Sequence, residues 1–192
     1  MTTATRITIA RFFFAPPLVV AICGTVWWPE QALAMRIAAM VLFGVGSLTD
    51  FFDGFVARRF NQRSPLGAAL DPLADKVLLW AAIWAIWACR GPFEAVPVWY
   101  PAIVTLNDAV LGLGFVAVRR RIDPNEMRAM IWGKAATVGQ ITVVAWLMLR
   151  LPGVLALLIV AGAMTAASGA AYVTRALRLM NRTTLETRES EA

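Results

Sequence analysis

Four aspartates, Asp50, Asp53, Asp71 and Asp75, stand within 26 residues of a chain that is 59% hydrophobic. A helix advances about 100° per residue, so Asp50, Asp53, Gly54 and Ala57 share one face, and Gly67, Asp71 and Asp75 share a face of the next helix. The linker between them reads "RFNQRSPL", and Ser64-Pro65 marks the start of the second helix. Neighbouring helices joined by so short a linker run antiparallel, which brings the two acidic faces together.

Carboxylates gathered in this way repel, and each costs on the order of 2.5–3.5 kcal/mol at a helix centre in lipid. Something must neutralise them. Ion pairs with Arg58, Arg59 and Arg63 are one solution, and a purely structural one. Divalent metal is the other: carboxylates with water suit Mg²⁺ or Mn²⁺, ions that bridge protein to substrate phosphate. The small residues Gly54, Ala57, Gly67 and Ala68 favour metal, because they leave the acidic face open to a flat or bulky ligand. The chain has no His, which removes the commonest general base and the imidazole ligands of zinc sites. Acid-base work therefore falls to carboxylates. Cys23 and Cys89 each stand alone in an apolar span and are expected as packing residues, neither ligands nor a disulfide.

The elements that position these residues are membrane helices. Mean hydropathy is +0.66 and there are eight Trp, well outside the composition of a soluble domain. A helical span needs about 20 predominantly apolar residues, and six stretches qualify, at roughly 7–28, 32–57, 70–90, 96–118, 131–150 and 153–178. The expected fold is all-α and integral to the membrane: one six-helix domain over residues 1–180, followed by a polar tail at 181–192 with the composition of a disordered end. The first span is expected to be a retained helix, not a cleaved signal, because Pro16 and Pro17 interrupt the apolar run and no small-residue cleavage site follows.

Basic residues set the orientation. With these spans, only Arg36, Arg90 and Arg150 fall on one side, and the remaining Lys and Arg fall on the other. Both termini and the acidic turn are thus expected to face the cytoplasm, with the polar metal-binding cavity on that side. Cations so placed orient helices and meet anionic headgroups, so the net charge of +6 does not indicate nucleic-acid binding. Trp27, Trp28 and Trp99 are expected as interfacial anchors, and Trp84 and Trp87 as packing residues. Gly112, Gly114, Gly162 and Gly169 are expected to permit close helix approach, and small residues in the last two spans make a homodimer plausible.

The pattern Asp50-x2-Asp53-Gly54-x2-Ala57-Arg58-x8-Gly67-x3-Asp71-x3-Asp75 resembles the signature of the CDP-alcohol phosphotransferases, membrane enzymes of phospholipid synthesis. The resemblance implies transfer of a phosphatidyl or smaller phosphoalcohol group from a CDP-linked donor to an acceptor hydroxyl, with release of CMP. Asp50, Asp53 and Asp71 would ligate two Mg²⁺ or Mn²⁺ ions on the donor diphosphate, and Asp75 would ligate metal or act as the general base. Gly54, Ala57 and Gly67 would leave room for the donor, Arg58 would steady its diphosphate, and Thr8, in a Thr8-x2-Arg11 pattern, would stand beside it.

The stretch from Thr49 to Lys76, with "GKAATVGQ" opening the fifth helix, looks most like the branch holding phosphatidylglycerophosphate synthases and related cardiolipin synthases. That branch implies CDP-diacylglycerol as donor, glycerol 3-phosphate or phosphatidylglycerol as acceptor, and a bacterial inner membrane as location. Lys134, Arg119, Arg120 and Arg121 would hold an acceptor phosphate. The chain departs from the branch at Arg6-Ile7, where Pro-Asn often precedes the first-helix Thr, and at two places that bear on the acceptor. Asn107-Asp108 stands where Arg followed by an acid is usual, and Ala136 where a second Lys is usual. Cations expected near the acceptor phosphate are therefore missing. The principal non-enzyme alternative is a cation carrier, since intramembrane aspartates also mark ion pathways, although no paired repeat supports it.

Overall fold

A computed structural model describes the backbone of residues 3–60, 65–90, 93, 95–118 and 131–190, and the side chains of 13–48, 76–90, 93, 95–112 and 133–178. The described residues form six helices and no strand: α1 (Thr3–Trp27), α2 (Ala32–Phe60), α3 (Pro65–Cys89), α4 (Trp99–Val118), α5 (Ile131–Leu149) and α6 (Val154–Ser190), with a short 3₁₀ turn at Pro29–Gln31. Each expected span corresponds to one helix. By length and composition, Pro29–Leu48 and Val154–Arg178 are long and apolar enough to cross a membrane. Shorter apolar helical stretches occupy Phe13–Trp27, Lys76–Cys89 and Gly133–Leu149.

Helix α3 begins at Pro65, where the ring's fixed φ suits the first helical position and the missing N–H would have no intrahelical partner. Helix α6 runs to Ser190, into the segment expected from composition as a disordered tail. Leu185, Glu186, Arg188 and Glu189 are all good helix formers, and no Gly or Pro intervenes to stop the helix. Arg150 closes α5 in the left-handed conformation, φ 56°. Its N–H bonds the carbonyl of Leu147 and the N–H of Leu151 bonds that of Trp146, which satisfies carbonyls the helix end leaves open.

Helix α3 lies at the centre. It meets α1 along most of its length and also touches α2, α4 and α5, while α6 closes the bundle against α4 and α5. Leu78, Leu79, Ile83 and Ile86 of α3 are buried against Leu18 and Ile22 of α1, Phe43 of α2, Val104 of α4 and Val143 of α5. The outward stripes are apolar too. Leu33, Ile37, Val41 and Val45 recur every four residues along α2 and are exposed, an arrangement that suits contact with lipid and not water.

The cysteines depart from expectation. Cys23 and Cys89 form a disulfide, their Cα atoms 5.5 Å apart across 66 residues of sequence. Each is solitary on its own helix, but α1 and α3 pack side by side, and both cysteines stand near a helix C-terminus. That long-range adjacency has no signature in local sequence. Purified under oxidising conditions, the chain should be lighter by two hydrogens than its reduced form in intact-mass spectrometry, and Cys89→Ser should abolish the difference and lower the thermal midpoint. Free-thiol labelling of both cysteines in the unreduced native protein would count against the bridge.

Candidate functional site

The acidic motif occupies the C-terminal part of α2 and the N-terminal part of α3. Both segments are helical, so the three- and four-residue spacings that put Asp50 with Asp53 and Asp71 with Asp75 are spacings along helix faces. The side chains of Asp50, Asp53, Gly54, Ala57, Arg58, Gly67, Asp71, Asp75 and Thr8 lie outside the described residues, as do Arg119, Arg120 and Arg121 entirely. The donor set available there is hard oxygen. That chemistry fits Mg²⁺ or Mn²⁺ and does not fit softer ions.

What the structure does place is the next layer of the bundle, beginning one residue after Asp75. Lys76 Nζ lies 3.0 Å from Asp108 Oδ1 of α4, with the Asp108 side chain 1% exposed and that of Lys76 21%. The charges attract at this distance, although the angle does not make a hydrogen bond with that oxygen. The other carboxylate oxygen accepts from Trp80 Nε1 at 3.1 Å. Lys76 also donates to Thr137 Oγ1 of α5 at 3.3 Å, and Thr137 in turn donates to the carbonyl of Gly133 at 3.1 Å. One carboxylate and one ammonium thus join α3, α4 and α5.

Sequence reasoning treated Lys76 only as an orienting cation and did not single out Trp80 or Thr137. A signal was present: Asp108 is an acid in an apolar span, and such an acid needs a cation. Lys76 and Trp80, four residues apart, share a helix face that can serve it. Lys134 is exposed beside Gly133 at the start of α5, open to a ligand.

Asn107 turns the opposite way. It is buried against α6, where a Cβ added to Gly169 would collide with its side-chain oxygen. Two turns earlier on α6, a Cβ on Gly162 would meet Trp99 at 2.8 Å. Both glycines therefore let α4 approach closely, as expected, whereas Gly112 faces open space and Gly114 lies outside the described side chains. Position 107 belongs to a helix interface, not to a surface awaiting a phosphate. Ala136 is likewise buried, at 3% exposure. Among the described residues, the two places where the branch usually has cations are occupied by small or neutral groups at packed positions. Deeper in the bundle, Gln140 Nε2 donates to Thr165 Oγ1 at 3.1 Å and links α5 to α6.

A family model described as CDP-alcohol phosphatidyltransferase matches residues 1–173. The chain is 32% identical over 147 residues to the CDP-diacylglycerol–glycerol-3-phosphate 3-phosphatidyltransferase of Salmonella choleraesuis, covering 76% of each sequence. It is 31% identical over the same length and share to the protein of that name from Escherichia coli K12.

The packing of Asn107 yields a prediction. Forcing a larger side chain into a filled interface costs typically about 1–3 kcal/mol, so Asn107→Arg should lower the thermal midpoint of the purified protein and should not improve acceptor affinity. A lower acceptor KM with an unchanged midpoint would show that position 107 opens toward the substrate.

Proposed function

Because the chain belongs to the CDP-alcohol phosphatidyltransferase family, we propose that it transfers the phosphatidyl group of CDP-diacylglycerol to glycerol 3-phosphate, releasing CMP. The observation that carries this reading is the family match over nearly the whole chain, joined to relatives whose names state that donor and acceptor. The chemistry asks for three things. A diphosphate must be bound next to an apolar bundle, a hydroxyl must be deprotonated, and CMP must leave.

Asp50, Asp53 and Asp71 would hold Mg²⁺ or Mn²⁺, with Asp75 completing the set. When bound, such an ion polarises phosphoryl oxygens and stabilises the charge that develops on the leaving phosphate. Asp75 takes the proton of the acceptor hydroxyl. The oxygen so freed forms a bond to the phosphatidyl phosphorus as the bond to CMP breaks. The chain has no His, so a carboxylate has to serve as the base. Arg58, eight residues after Asp50 on α2, steadies the departing phosphate. Gly54, Ala57 and Gly67 keep bulk away from the donor. Asp108, an acid in the neighbouring helix, is already committed to Lys76 and Trp80, which supports Asp75 in that role.

For the acceptor phosphate, Lys134 is the side chain best supported by the structure, being exposed at the start of α5 beside the Gly133 carbonyl that Thr137 engages. The enzyme works in the bacterial plasma membrane with its site toward the cytoplasm, where CDP-linked donors and glycerol 3-phosphate are available. The Cys23–Cys89 disulfide supports that orientation. Disulfides persist in oxidising compartments, and the bridge stands at the helix ends remote from the acidic motif.

Two experiments test this reading. With CDP-diacylglycerol and glycerol 3-phosphate in mixed micelles, excess chelator should abolish CMP release and Mg²⁺ or Mn²⁺ should restore it. Asp50→Asn, Asp53→Asn and Asp71→Asn should each lose most turnover, and full turnover in chelator would exclude the metal mechanism. Offered glycerol 3-phosphate, phosphatidylglycerol, inositol phosphate or serine, the protein should yield phosphatidylglycerophosphate by lipid mass. Lys134→Ala should raise the KM for glycerol 3-phosphate by about tenfold or more, the loss of one charge-assisted contact. Cardiolipin from phosphatidylglycerol, with no product from glycerol 3-phosphate, would replace the assignment.

A further inference from the structure

The pair Lys76–Asp108 is hard to explain as a stabilising device. Removing two charges from water costs about as much as their attraction returns, and well-packed apolar residues often do as well or better. In a bundle whose core is mainly Leu, Ile, Val and Ala, with uncharged polar links such as Gln140–Thr165, this ion pair is open to a role beyond packing. Its location suggests what. Lys76 directly follows Asp75, the last carboxylate of the acidic motif, and an ammonium on a flexible four-carbon stem readily changes partners. Left unpaired, a mobile ammonium next in sequence to Asp75 becomes a competitor with a divalent ion for the motif carboxylates.

Three contacts prevent this. Asp108 draws the ammonium toward α4 at 3.0 Å, Thr137 holds it toward α5 at 3.3 Å, and the Trp80 indole N–H fixes the receiving carboxylate at 3.1 Å. Successive residues on a helix differ by about 100° in direction, so Lys76 is carried away from the face that bears Asp71 and Asp75.

We propose that Asp108 is a positioning residue that sequesters the Lys76 ammonium in the α3–α4–α5 interface and so keeps the motif carboxylates free for divalent metal. The inference rests on the reading of those aspartates as a metal site, and metal binding, measured apart from turnover, tests the two separately. The full-length protein in lipid nanodiscs is titrated with Mn²⁺, and free Mn²⁺ is read by electron paramagnetic resonance. Asp108→Asn keeps the shape and an acceptor for Trp80 but releases Lys76, so the apparent Kd for Mn²⁺ should rise about tenfold. Adding Lys76→Met to Asp108→Asn removes the competing ammonium and should return the Kd to that of the wild type. A merely structural pair predicts the reverse, with the double variant as weak as the single one or weaker. Thr137→Val strands no charge and should weaken Mn²⁺ binding in the same direction by a smaller factor, which keeps the test open even if Asp108→Asn does not fold. Wild-type affinity in both Asp108→Asn and Thr137→Val overturns the inference while leaving the metal site intact. A wild type that binds no Mn²⁺ removes the metal site and the inference together.

Discussion

A charge carried into an apolar helix bundle has to be neutralised where it stands, and the arrangement of this protein follows from that constraint. Little water reaches it there, and leaving one partner of such a pair alone costs far more than the pair itself contributes. Helix α3 carries Asp71, Asp75 and Lys76 in its first half. It is also the helix at the centre, touching α1, α2, α4 and α5. The two facts belong together, because a helix so charged finds its partners only when surrounded by other protein.

Helix α3 is secured at two points by different chemistry. Near the motif, Lys76 reaches Asp108 on α4 and Thr137 on α5. At the far end, Cys89 is bonded to Cys23 on α1. Thirteen residues separate the two anchors, about 20 Å of helix, and the stretch between them is the buried row of Leu78, Leu79, Ile83 and Ile86. A helix held covalently at its C-terminus and ionically near its middle has little freedom to rotate or slide over that stretch.

Helix α4 shows how one turn of sequence serves two neighbours. Asp108 faces α3 and joins the ionic layer, while Asn107 faces α6 and fills the space left by Gly169. Substitutions at these adjacent positions therefore have different physics. One strands a buried charge, and the other overfills a close helix contact. The polar pair Gln140–Thr165 adds a link between α5 and α6 at a depth where neither group has water to turn to.

Much of this was legible in the amino-acid order. Apolar runs marked the number of described helices and most of their limits, α6 excepted, because a segment of apolar residues satisfies its backbone polar groups by bonding within itself. The spacing of Asp50, Asp53, Asp71 and Asp75 falls on helical segments, so helical periodicity turns those sequence intervals into shared faces. Pro65 marked the start of α3 through a local steric rule that needs no tertiary context. What sequence could not settle were the pairings between distant residues. Cys23 looked solitary until α1 lay beside α3, and Lys76 looked like an orienting cation until α4 brought Asp108 to it. Asn107 looked like a missing phosphate ligand until α6 put Gly169 against it. Local spacing determines which face of a helix a side chain occupies, but only the packing of that face against another helix decides what the side chain meets.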